Sequence, residues 1–114
     1  MNIGQCVARV DTLRPNAISE GEKIRWAYDL DAQLRREFYP RYAPVGRASA
    51  DTEEAGKNYI LSASGPYEEL YVFYVAGKVD LANQELELYN ADTALFRSAL
   101  DDFRKDYHRT HTHI

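Results

Sequence analysis

The segment from Pro66 to Asn83, PYEELYVFYVAGKVDLAN, is apolar on nearly every side of a helix. Leu70, Tyr74 and Leu81 fall on one helical face, Val72, Val75, Val79 and Ala82 on another, and Phe73 on a third. Whichever face such a helix turned outward, it would expose apolar surface to water. It therefore belongs either at the centre of a domain or against a second subunit. The expected subunit contacts are Val72, Phe73, Val75 and Val79. Gly77 in its interior costs about 1 kcal/mol against Ala, a cost that a closely approaching neighbour helix would offset. Pro66 is placed to open this helix, because its missing N–H is unpaired in a first turn anyway.

The flanking segments carry narrower stripes. Ile3, Val7, Val10 and Leu13 mark one face of a first helix over about Asn2–Leu13. Pro15 ends it by pushing Arg14 out of the α region. Ser19 with Glu22 three residues on is a capping box, and the stripe Ile24, Ala27, Leu30, Leu34 and Phe38 carries a second helix to about Phe38. The turn between them makes the two antiparallel, with the short helix expected as a lid on a bundle of the other three. After a tight corner at Asn83-Gln84, Leu86, Tyr89, Thr93, Phe96, Leu100, Phe103 and Tyr107 alternate spacings of three and four. This a/d pattern serves packing within a bundle as well as coiled coils.

Residues 40–66 break the helical pattern. Val45 to Thr52 has no helical stripe, and Tyr59-Ile60-Leu61 is β-prone. The polar stretch Glu53 to Lys57 between them predicts a β-hairpin with a five-residue loop. The expected fold is mainly α: one domain over 1–114 with four helices, a short N-terminal one and three longer ones, and one β-hairpin between helices 2 and 3. Residues 109–114 are expected to form a disordered tail.

Charge and chemistry exclude several classes. Residues 1–47 carry eight Lys/Arg and six Asp/Glu, residues 48–88 two and eight, and residues 89–114 four and four. A net charge of −4 without a basic cluster is unsuited to non-specific duplex binding, which runs on Lys and Arg displacing counterions. The longest apolar run, Tyr71 to Gly77, is too short to span a bilayer, and no signal peptide is expected. Cys6, the single cysteine, lies in the first apolar stripe and is expected as a small core residue. No glycine-rich phosphate loop, Gly-x-Ser-x-Gly or His-Glu-x-x-His occurs. Glu68-Glu69 and Asp101-Asp102 are helical neighbours that face apart, and Asp29 and Asp31 belong to a mixed solvated face on the second helix. His108, His111 and His113 crowd a chain end expected to fray. No catalytic residue, cofactor or metal site is expected, and the nine tyrosines read as amphipathic packing residues.

Several stretches together resemble a family of small phage and prophage proteins of head–tail connection. They are VDTLRPN, GEKIRW, Leu70-Tyr71 with a second tyrosine at Tyr74, DLAN at 80–83 and YNADTALF at 89–96. The resemblance runs from about Val10 to Tyr107. It implies a non-enzymatic, α-helical adaptor that forms a ring on the portal vertex and lines the path of the genome. The implied partners are the portal, other head–tail proteins and further copies of the chain, and the free chain can stay monomeric because a portal ring would pre-align its subunits. The implied locations are the bacterial cytoplasm during assembly and then the virion, without membrane or specific nucleic acid. Asp51, Glu53 and Glu54 would then face the channel. The resemblance leads one to expect Gly after Asn83, where this chain has Gln84. The hairpin region matches in placement alone, and the His-rich end has no counterpart. The competing expectation is a small helical DNA-binding or regulatory module, with the Pro15-Asn16 turn read as part of a helix-turn-helix.

Overall fold

The structure is a computed structural model that describes residues 1–38, 56–63 and 65–111. Among them are four α-helices: α1 (Ile3–Leu13), α2 (Glu20–Phe38), α3 (Glu69–Ala82) and α4 (Leu86–His111). A 3-10 turn, Gly65–Glu68, leads into α3, so Pro66 sits in the tight entry turn ahead of the α-helix proper.

α3 is the element the others share. α1 and α2 pack on each other and on α3, while α4 lies along α3. Leu70, Tyr71, Val72, Val75, Ala76 and Val79 are buried on α3 against Ile3, Cys6, Val7 and Val10 of α1 and Ile24, Ala27, Leu30 and Leu34 of α2. A helix apolar all round has thus become the centre of the domain. Val72, Val75 and Val79, expected at a subunit contact, have no exposed surface. They belong to the chain's own core. Of that set Phe73 is only half-buried.

α1 is a core element and not a lid. Ile3, Val7 and Val10 of its stripe are essentially inaccessible, while Leu13 at its end is half exposed, and the start of α1 is clasped from two directions. Asn2 and Gln5 form a capping box, each side chain taking the other's backbone N–H. The Ile3 N–H donates to the Tyr59 carbonyl and the Leu61 N–H to the Met1 carbonyl, both at 3.0 Å. These bonds surround an isolated antiparallel bridge between Asn2 and Ile60. The expected hairpin is not seen among the described residues. Tyr59–Leu61 borders the N-terminal segment, Gly56 and Lys57 are helical, and the other limb lies outside the described residues.

α2 begins where Ser19 predicts, with the Glu22 N–H donating to Ser19 Oγ at 3.2 Å. α4 presents its heptad stripe to α3 and the 3-10 turn. Tyr74 and Phe96 rings lie 5.4 Å apart, and Tyr67 and Phe103 5.3 Å apart edge to face. Only Phe103 of that stripe is fully buried, and Leu86 at its start is 61% exposed. The reason is geometric: α4 leans mainly on one helix, so a stripe wide enough for a bundle is half covered. α4 continues to His111, into the segment expected to be a tail, and residues 112–114 lie outside the described residues.

Candidate functional site

The break between α1 and α2 is held by side chains. Asn16 donates from Nδ2 to the Arg14 carbonyl at 2.7 Å and to Asp11 Oδ1 at 3.1 Å. Its Oδ1 accepts from the Ile18 N–H and from Lys23 Nζ, each at 3.0 Å. Lys23, buried on α2, also reaches Asp11 Oδ1 at 2.5 Å. A buried ammonium is tolerable only when paired, and here it ties α2 back to α1 across the turn.

Arg14 works in the opposite direction. Its Nε donates to Asp80 Oδ1 on α3 at 3.0 Å, and its Nη2 to both oxygens of Asp92 on α4 at 3.2 Å. Both aspartates are buried. Two carboxylates facing one guanidinium leave an excess negative charge, and Asp80 Oδ2 has no hydrogen-bond partner among the described residues. Burial, the hydrogen bond with Asp92 and the Asp92 charge push the Asp80 carboxyl up to about 7, against the opposing pull of Arg14.

The same residue anchors the α3–α4 corner through its backbone. The Glu85 N–H donates to the Asp80 carbonyl at 2.8 Å and the Gln84 N–H to the Leu81 carbonyl at 3.1 Å. This is a Schellman ending, with Gln84 in the left-handed region at φ 60°.

A third cluster centres on Asp31, which is wholly buried and not part of a solvated face. Its Oδ1 accepts from Tyr71 Oη at 2.8 Å and the Ser62 N–H at 2.9 Å. Its Oδ2 accepts from Tyr59 Oη at 2.9 Å, Ser62 Oγ at 3.0 Å and Arg35 Nε at 3.3 Å. Tyr71 Oη in turn accepts the Ala63 N–H at 2.9 Å. The carboxylate thereby fastens residues 59–63 to α2 and α3.

Apart from Asp80 Oδ2, the polar groups of these clusters find their partners inside the protein, so their chemistry is cohesion. Cys6 is equally closed: burial pushes its thiol up to about 12, Glu69 adds to the rise and Arg9 opposes it. Among the described residues no three His, Cys, Asp or Glu side chains are grouped to hold a metal, and no helix is long and apolar enough to cross a membrane.

The outward features lie on the α3–α4 hairpin. A groove of about 220 Å³ runs between the two helices. Phe73, Tyr74 and Phe96 line it together with Thr93, Lys78 and Arg97. Leu81, which also lines it, and Leu86, Leu88 and Leu95 on α4 are exposed. Asp51, Glu53 and Glu54, the expected channel-facing acids, lie outside the described residues.

No family model, curated protein or solved structure matches this chain. The interior clusters draw on short stretches along the chain: Asp11, Arg14 and Asn16 in VDTLRPN, Lys23 in GEKIRW, Tyr71, Asp80 in DLAN and Asp92 in YNADTALF. Sequence reasoning took these stretches as packing and turn signals and missed that their polar residues meet. The nearest thing to a sign in the sequence was a carboxylate, Asp80, between the apolar neighbours Val79 and Leu81.

Proposed function

We propose that this chain is a non-enzymatic structural protein of phage or prophage head–tail connection, an adaptor that joins a ring on the portal vertex. The observation that carries this reading is the α3–α4 hairpin, which combines a firm anchor with an uncovered apolar edge. α3 is the core of the domain, the Arg14 cluster locks its junction with α4, and Leu81, Leu86, Leu88 and Leu95 stand exposed along it. Single exposed leucines are ordinary. Four within fifteen positions on one rigid hairpin are read here as surface offered to another protein. Leu88 and Leu95, seven apart, share one face of α4. The described polar clusters are spent on holding helices together, which suits a part that transmits contacts.

Many of the basic side chains that a DNA-binding module would turn to phosphate are committed within the chain. Arg9 pairs with Glu69, Arg14 with Asp80 and Asp92, Lys23 with Asp11, Arg35 with Asp31, and Arg104 with Glu37. The turn at Pro15-Asn16 is a clasp between two core helices, which supports the adaptor reading over the helix-turn-helix one.

The test is co-sedimentation of the purified protein with an assembled portal, alongside a salt titration with duplex DNA. The adaptor reading expects stoichiometric association with the portal and no duplex binding at physiological salt. Tight duplex binding, or failure to join a portal to which the tail still attaches, would overturn it.

A further inference from the structure

The groove between α3 and α4 has the wrong size for a small molecule and an unusual rim. At about 220 Å³ it falls below the roughly 300–1,000 Å³ of ordinary ligand pockets. Its floor is aromatic, from Phe73, Tyr74 and Phe96, and its rim carries two cations, Lys78 and Arg97. Among the described residues neither cation meets a carboxylate. Lys78 Nζ instead lies over the Tyr74 ring, 5.4 Å from its centre. Such a groove fits an occupant with aliphatic side chains and negative charges at close spacing.

The chain itself displays one. Glu85 and the first turn of α4, Leu86, Glu87 and Leu88, follow directly on the corner between α3 and α4, and all four are exposed, Leu86 more than any other described leucine. Neither glutamate has an ion-pair partner among the described residues. The corner is stiff, because the Schellman bonds and the Arg14–Asp80 pair hold it in one shape. A preorganised segment loses little conformational freedom on docking. The same stiffness prevents it from folding back into the groove of its own hairpin.

We propose that the Glu85–Leu88 corner of one copy seats in the α3–α4 groove of the next. Leu86 lies against Tyr74 and Phe96, and Glu85 and Glu87, on either side of it around the first turn of α4, answer Lys78 and Arg97. The contact joins two different patches, which is the kind that propagates around a ring. This deepens the adaptor reading and rests on it for its biological meaning.

The experiment uses two charge-reversal variants, Lys78→Glu/Arg97→Glu in the groove and Glu85→Lys/Glu87→Lys at the corner. Wild type, each variant alone and their equimolar mixture are followed by sedimentation equilibrium up to about 1 mM protein, with thermal melts to confirm folding. The wild type is expected to self-associate, more weakly as salt rises. Each variant alone should be monomeric, because like charges then meet. The mixture should recover association, because each intact or reversed groove finds a complementary corner. Leu86→Ala, which keeps every charge, should raise the dissociation constant at least about tenfold, from the burial lost with an anchor side chain. The proposal is overturned by a wild type that stays monomeric throughout, by variants that associate as the wild type does, or by a mixture that recovers nothing. A monomer that still binds the portal removes this contact and leaves the adaptor reading. Self-association without portal binding does the reverse.

Discussion

The Tyr71 hydroxyl donates to the Asp31 carboxylate at 2.8 Å, joining α3 to α2 with both residues fully buried. The same hydroxyl accepts the N–H of Ala63 at 2.9 Å. Removing one oxygen therefore strands a buried backbone donor and deprives the carboxylate of a partner. Tyr71→Phe should cost about 1–3 kcal/mol, the range for leaving buried polar groups unmade. Urea denaturation measures this, and a loss below about 0.5 kcal/mol would mean that the Asp31 cluster is not holding the two helices.

Asp80 sets a dependence on pH. Its carboxyl is pushed up to about 7 in the folded protein from an ordinary value of 3.8. For a group raised on folding, the stabilising contribution is complete below the unfolded value and disappears as pH rises through the folded one. This contribution should therefore weaken between about pH 4 and 7. Asp80→Asn keeps an oxygen for Arg14 and offers Asp92 a permanent N–H donor. Relative to wild type it should be more stable at pH 8, with the advantage shrinking towards pH 5. Denaturation midpoints of both proteins across that range check this, and a difference independent of pH would refute the raised Asp80 carboxyl.

Gln84 occupies a left-handed position at φ 60° where a glycine carries no side-chain penalty. The strain of roughly 1–2 kcal/mol for a non-glycine residue exceeds the extra freedom that glycine has in the unfolded chain. Gln84→Gly should raise stability by about 0.5–1 kcal/mol, and a β-branched Gln84→Val should lower it. Thermal melts of the two variants would show opposite shifts.

Gly77 offers a contrast. A Cβ there would meet Asp92 Cβ, Thr93 Oγ1 and Tyr89 Cδ1, all at 3.9 Å, which is ordinary contact. The approach of α4 does not require a glycine, contrary to the expectation drawn from the helix interior. Gly77→Ala should stabilise the protein by about 1 kcal/mol through helix propensity, read as a higher melting temperature. A destabilised variant would mean that α4 sits closer to α3 than the structure places it.

The apolar periods, Pro15 and Ser19 determined the helices, because each of those signals acts within one or two turns of chain. The all-round apolar character of 66–83 also determined that this helix must be covered. It left open whether its own chain or a second copy would cover it, since burial is blind to the origin of the covering atoms. Tertiary structure decided that question by placing α1 and α2 over Val72, Val75 and Val79, and it left the heptad stripe of α4 half covered by a single neighbour. It also decided which charges go inside. Arg14 meets Asp80 and Asp92 from 66 and 78 residues away, and Asp31 meets Tyr71 from 40. A charged residue read alone is best assigned to water. Only the fold brings together the donors that make its burial tolerable, and no local pattern in a sequence encodes that meeting.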